Sequence, residues 1–393
     1  MNQHPAFRYV LPIAAFLLPI PAHAGDGSPI VVTSASGSIS GGAFAYDLKS
    51  GEEQSDGFSQ ELGGPWPLLP IEAGGSATAS TVTASAQGYA DATATNLPDQ
   101  LTVSVTGGAD AYGDGVMNDA SADGQATLSL SLSTTVPVFA RIRLDGFADQ
   151  GGGCFAWFNS GGQSFSYDGY DAPVEIERMI LAGAPVEIGA DAAAGATGVD
   201  FLSPYGSATA TMEILTRYEG VLSVGDNFFN TTRAEGTFDM TGWCDPGDFG
   251  GDTIESPVHF VFNAPQSGTY VFSTCNQTEL DTRIAVTSYG PRAEDVLACG
   301  DESPGCAGFT TRVSVPLNAD QNYTVVLGST FPEDAGTGTL TVSLLGDLDG
   351  DGLVNGADLG FLLGAWGTDA ADLDGDGTTD GSDFGLLLSL FTA

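Results

Sequence analysis

Two stretches near the C-terminus carry residue types at a spacing suited to cation chemistry. In residues 347–358, side-chain oxygens stand at positions 1, 3, 5, 9 and 12: Asp347, Asp349, Asp351, Asn355 and Asp358. Leu353, at position 7, can offer only its backbone carbonyl. The pattern returns 25 residues later as Asp372, Asp374, Asp376, Asp380 and Asp383, with Thr378 at the carbonyl position. Gly352 and Gly377 occupy position 6, where a twelve-residue calcium loop turns sharply. Hard oxygen donors on a flexible ring suit calcium rather than zinc or copper, so two loops predict two calcium ions. The alternative is an Asp/Gly-rich linker, and two full matches in one register argue against it.

Elements must hold those loops in shape. Leu359, Leu362, Leu363 and Trp366 follow the first loop, and Phe384, Leu387, Leu388 and Phe391 follow the second. The i, i+3, i+4, i+7 spacing predicts one helix after each loop. Neither helix alone can bury its stripe, so the two are expected to pack on each other as a calcium-dependent core. Over residues 346–393 this loop–helix duplication resembles type I dockerins, which share Asp at position 12 and lack an entering helix. The resemblance implies attachment or assembly through a cohesin-like protein or a cell-surface component. Positions 10 and 11, Gly356-Ala357 and Gly381-Ser382, are smaller than in cellulosomal dockerins, so a purely structural calcium module is an equal alternative.

Other chemistry is scarce. His4 and His23 lie in the N-terminal segment, which leaves His259 in the alternating run Val258-His259-Phe260-Val261-Phe262, where it reads as a packing residue. No HExxH, Gly-x-Ser-x-Gly or phosphate-loop pattern is present. A carboxylate pair is the remaining catalytic option, and a glycoside hydrolase ranks last among the functions considered. Asp110, Asp114, Asn118, Asp119 and Asp123 read as one acidic loop, a second cation candidate whose spacing matches no known cage.

The chain begins with a segment of secretory type: Arg8, an apolar run over 10–20, and Ala22-His23-Ala24 as the cleavage site. No later stretch is long and apolar enough to span a bilayer. The expectation is therefore a secreted protein, extracellular or attached to a bacterial cell surface. Fifty acidic residues against ten basic ones leave no Lys/Arg cluster, which excludes nucleic acid as a partner. Of five cysteines, Cys244, Cys275, Cys299 and Cys306 cluster and are expected as two disulfides. Three connectivities are possible; the short spacing favours Cys299–Cys306, with Cys244–Cys275 as the second bridge. Cys154 is left as a buried thiol or an intermolecular link.

Between these ends, short alternating strands with Gly/Asp turns predict all-β domains. Residues 25–220 read as one β-sandwich, with strands expected at 77–85, 128–132, 136–144, 154–158, 186–188 and, closing it, 208–214. Residues 221–345 read as a second sandwich. Its runs 258–265, 267–272, 281–284, 297–301 and 322–328 resemble, in that order, bacterial pre-peptidase C-terminal domains. That resemblance implies a jelly-roll-like accessory sandwich without an active site. The expected fold is thus mainly β: two β-sandwich, jelly-roll-like domains followed by a small helical calcium module. The expected function is a non-catalytic secreted accessory or cell-surface protein. The alternative is a polysaccharide-binding protein that uses a sandwich face, with Trp157, Phe155 and Phe158, or Tyr167 and Tyr170, as candidate aromatics.

Overall fold

In the computed structural model, residues 28–391 are described except 48–49, 65–69, 82–83, 114–117, 150–151, 170–171, 198–203 and 246–250. The expected leader segment, with His4 and His23, and Asp114 and Tyr170 thus lie outside the described residues.

The first twelve strands are β1 (Ile30–Asp47), β2 (Glu52–Gly64), β3 (Ile71–Ser80), β4 (Ala84–Leu97), β5 (Gln100–Gly113), β6 (Asn118–Thr134), β7 (Val138–Asp149), β8 (Gly153–Ser160), β9 (Gln163–Tyr167), β10 (Val174–Ile180), β11 (Val186–Thr197) and β12 (Tyr205–Arg217). They form two six-stranded sheets, ordered β2-β1-β6-β11-β8-β9 and β10-β7-β12-β5-β4-β3. Alternation drives the fold. Leu128, Leu130 and Leu132 point inward with Val103, Val105, Ile142, Phe158 and Ile188, while the intervening Ser and Thr face outward. Toward one end the buried residues of the core are all alanine, including Ala43, Ala77, Ala86, Ala109 and Ala122, with Phe58 packed against them. There the sheets approach so closely that a Cβ on Gly88 would stand 2.1 Å from the Asp123 carbonyl oxygen.

Two expectations change here. The run 77–85 is two strands, because Ser80 pairs with Ser85 across a tight reversal. The closing strand expected at 208–214 is β12, which lies inside its sheet between β7 and β5. The expected acidic loop is largely strand: Asp110 lies in β5, and Asn118, Asp119 and Asp123 lie in β6. The Ala/polar alternation of 108–112 and 119–126 continues the ladder beyond the Leu-rich stretch, and this spreads the acids along two strands. Cys154 is a buried free thiol, raised above the usual range by burial and then by the charges of Asp168 and Asp145.

The next ten strands are β13 (Gly220–Leu222), β14 (Gly225–Asn230), β15 (Thr237–Asp239), β16 (Thr253–Asn263), β17 (Gly268–Ser273), β18 (Thr282–Thr287), β19 (Val296–Gly300), β20 (Arg312–Leu317), β21 (Asn322–Ser329) and β22 (Thr337–Leu344). One sheet runs β13-β16-β21-β18-β19 with β15 beside β16; the other runs β14-β22-β17-β20. Phe262, Tyr270 and Phe272 meet edge to face between them. Tyr218, Phe139 and Val261 join the two sandwiches, and the Tyr218 hydroxyl lies 2.8 Å from that of Thr324. His259 touches this junction, edge-on to Tyr218 at 6.4 Å, and burial pushes its pKa down to about 4.

All four clustered cysteines are oxidised, but the pairing is Cys244–Cys299 and Cys275–Cys306, not the one expected from spacing. Strand alternation is the reason. On β18 and β19, Ile284, Val286 and Ala298 face the sandwich interior, so Ala285 and Cys299 face the opposite side. That outer face is covered by Phe238 and Met240, whose segment brings in Cys244. Cys306 lies in the following turn, where Ala307 donates to Asn276 Oδ1 at 2.7 Å beside Cys275.

Candidate metal centre

Two helices follow, α1 (Gly356–Gly364) and α2 (Gly381–Leu390), each entered from one acidic loop. The loops are closely alike. Asp347 accepts from the N–H groups of Gly350 and Gly352 at 2.8 and 3.0 Å; Asp372 accepts from Gly375 and Gly377 at 2.8 and 2.9 Å. Asp349 and Asp374 each accept from the residue two ahead at 3.1 Å, and Asp351 and Asp376 do so at 2.8 Å. These turns require glycine at positions 4 and 6: φ is +77° and +86° at Gly350 and Gly352, and +84° and +93° at Gly375 and Gly377.

The result is two triads, Asp347/Asp349/Asp351 and Asp372/Asp374/Asp376, each with one oxygen per carboxylate within 4.8 Å of the others. Among the described residues, no ion pair reaches any of the six. Burial raises the pKa of Asp347; the Gly352 and Gly350 N–H groups oppose this, and the charges of Asp358 and Asp351 add to it. Asp374 is also raised, despite the N–H of Asp376, by burial and by the charges of Asp376, Asp383 and Asp372. Clustered like-charged oxygens of this kind fit a hard divalent cation.

The remaining predicted ligands have visible duties in the backbone. Asn355 and Asp380 cap the helices, accepting from Ala357 and Ser382 at 2.8 and 2.7 Å. Asp358 is fully buried and staples its loop shut: Oδ1 accepts from Leu348 and Asp349 at 2.7 and 3.2 Å, and Oδ2 from Asn355 at 2.7 Å. Asp383 repeats this with Leu373, Asp374 and Asp380. Burial works to raise the Asp383 pKa, but those N–H donors outweigh it and hold the carboxyl below its usual value. Leu353 and Thr378 donate their own N–H groups to Asp351 and Asp376 and sit on the exposed side. A bound cation would be held by the triads, with positions 7, 9 and 12 as the further oxygens the spacing supplies.

The expected mutual stripe core is corrected. Leu362 and Leu387 are fully buried and Leu359 and Phe384 partly so, but Leu363, Trp366, Leu388 and Phe391 are exposed. The sandwich takes their place. Val354, Leu362, Ala365, Ala371, Leu373 and Leu387 belong to one continuous core with Val271, Leu344 and Leu345. The connection turns at Gly346, φ +91°, where a Cβ would stand 3.0 Å from Val354 and 3.2 Å from Leu387. Sandwich side chains also grip the loops themselves: Gln266 Nε2 donates to the Gly352 carbonyl at 2.6 Å, and Arg312 Nη1 to that of Asp372 at 3.1 Å. Sequence reading missed both, because Gln266 and Arg312 lie far from the loops in the chain.

The other sequence candidates are dispersed. Phe158 and Tyr167 are buried, whereas Phe155 is exposed and stacks on Trp157 at 5.8 Å. No helix of the described residues is long and apolar enough to cross a membrane.

No family model matches the chain, and no curated protein matches it. Among solved structures the chain is similar to a variant of Bacillus subtilis oxalate decarboxylase, at 8% identity over 58% of this chain and 75% of that one, with a TM-score of 0.11. It is similar to hazelnut (Corylus avellana) vicilin at 8% identity, over 57% of this chain and 80% of that one, with a TM-score of 0.11. The figures for Capsicum annuum vicilin are 8%, 55%, 75% and 0.09. Likenesses at these scores carry no argument about fold or function.

Proposed function

We propose that this is a secreted accessory or cell-surface protein, without catalysis of its own, whose C-terminal dockerin-like module binds two calcium ions. The observation that carries the reading is the duplicated triad: two sets of three carboxylates, in near-identical turns, each converging within 4.8 Å. Gathering such charges is unfavourable without an offsetting cation, and binding that cation stabilises the folded module. Two disulfides accord with an oxidising destination. His259, with burial pushing its pKa down to about 4, is a poor base at neutral pH, which argues against imidazole catalysis and accords with an accessory role. The module then serves attachment or assembly, and the exposed Leu363, Trp366, Leu388 and Phe391 supply surface for a cohesin-like or cell-surface partner.

Isothermal titration of the chelator-treated full chain tests the metal reading. Two calcium ions per chain, with no heat from an Asp347→Ala, Asp372→Ala double variant at the same concentrations, is the expected result. Equal binding by that variant sinks it.

A further inference from the structure

We propose that the outer face of the β10-β7-β12-β5-β4-β3 sheet binds a neutral saccharide, one ring against an aromatic shelf and the next above a floor of hydroxyls. This proposal is independent of the calcium reading.

The site follows from strand register. On β12 the even residues Ala208, Ala210 and Met212 enter the core, which sends Ser207, Thr209 and Thr211 outward. Their partners on β7 are Phe147, Asp145 and Arg143, in that order. A row of long side chains beside a row of short hydroxyls leaves a groove of about 340 Å³, lined by these six residues and Gly146. That volume falls in the range of small-ligand sites. The floor is fixed, since the Thr209 hydroxyl lies 3.1 Å from that of Ser104 on β5. One wall is charged and ordered: Arg143 Nη2 donates to Asp145 Oδ2 at 2.9 Å, and the Gly146 N–H donates to Asp145 Oδ1 at 2.8 Å.

The end of the groove is aromatic. Phe147 is 56% exposed, so its ring is open to solvent at the end of the groove. Its ring centroid is 6.5 Å from that of Tyr205, and the planes are inclined at 39°. Tyr205 pairs with Gly108, which pairs with Tyr89 on the next strand. A Cβ at Gly108 would come within 2.0 Å of Tyr89 Cζ, so the glycine is what lets the Tyr89 ring lie across the sheet toward Tyr205. Phe147, Tyr205 and Tyr89 thus form a line across four strands.

A pyranose matches this pairing of surfaces. Its C–H face is apolar and its rim carries hydroxyls that both donate and accept. Aromatic faces take the first, while Asp145, Arg143 and Thr209 take the second. A protein partner is disfavoured, because the apolar part is one short row and the rest is hydroxyl and charge, far from the buried core of a protein interface. Anionic glycans are disfavoured by Asp91, Asp110 and Asp149 around the same face and by the net charge of −40. The Phe155–Trp157 pair on the opposite sheet lies beside Asp191 and Glu187, already engaged by Thr127 and Asn159, and provides a control.

The test is affinity electrophoresis of the full chain through gels containing β-1,4-glucan, β-1,4-mannan, β-1,4-xylan or, as the anionic comparison, polygalacturonate. Retardation by at least one neutral polysaccharide is expected, and it should persist in chelator. Phe147→Ala and Thr209→Val, both surface changes verified by unchanged circular dichroism, should weaken it about fivefold or more, and Phe155→Ala should not. No retardation by any neutral polysaccharide, retardation by polygalacturonate alone, equal retardation of Phe147→Ala, or loss on Phe155→Ala alone would each overturn the assignment.

Discussion

Arg312, the first residue of β20, donates from Nη1 to the backbone carbonyl of Asp372, the residue that opens the second acidic loop, at 3.1 Å. A side chain of the sandwich therefore holds the backbone of a candidate calcium loop. Removing it in Arg312→Ala should cost about 1.5–3 kcal/mol, the range for a hydrogen bond that involves a charged group. The expected signature is faster amide hydrogen exchange at Asp372 and Leu373, with exchange in β1–β12 unchanged. Unchanged exchange in the loop would show that the contact carries no load.

Asp358→Ala leaves three N–H groups, those of Leu348, Asp349 and Asn355, without their acceptor. The expected loss is about 2–4 kcal/mol, and Asp383→Ala should behave alike. Because Leu362 and Leu387 share one core, the Asp358 change should also weaken calcium binding at the second loop. Isothermal titration decides it: loss of one ion with the other unaffected means that the loops act separately.

Gly352→Ala and Gly377→Ala place a Cβ at φ +86° and +93°. Nothing crowds that Cβ, so the expected cost is backbone strain alone, about 1–2 kcal/mol each. Thermal unfolding of the calcium-loaded chain should register it, and Gly356→Ala, whose φ is not positive, should show no comparable loss.

His259 gives a pH dependence with a defined sign. Its folded pKa is about 4 against an ordinary 6.5, so between those values the unfolded chain binds a proton that the folded chain refuses. Stability from this group is complete above pH 6.5 and falls as the pH drops toward 4, by at most about 3 kcal/mol. Urea unfolding of wild type and His259→Gln should converge as the pH falls through that window. Parallel curves would place the imidazole in water.

Peptide mapping without reduction should recover Cys244 joined to Cys299 and Cys275 joined to Cys306. The bridges close separations of 55 and 31 residues, so chain entropy assigns about 4 kcal/mol to each. Cys244→Ser, Cys299→Ser should lower stability by that order, and a Cys299–Cys306 peptide would refute the pairing.

The amino-acid sequence alone determined what is local and periodic. Ligand types at fixed intervals, glycine at position 6, the Leu128/Leu130/Leu132 alternation and the two helices after their loops depend on neighbours in the chain, and all of these are visible in it. Glycine at position 4 was equally present as Gly350 and Gly375, readable from the same turn logic. Tertiary structure decided what depends on which face meets which. Cys299 lies seven residues from Cys306, yet strand alternation turns it to the far side of its sheet, toward Cys244. The helical stripes satisfy the amphipathic pattern, but helices of nine and ten residues bury only part of it, and β17, β22 and Leu345 supply the rest of that core. Gln266 and Arg312 reach the loops, and Phe147 meets Ser207, only through register and packing. Spacing along a chain fixes the direction of a side chain within its own element; what lies opposite depends on contacts between residues far apart, which no local pattern encodes.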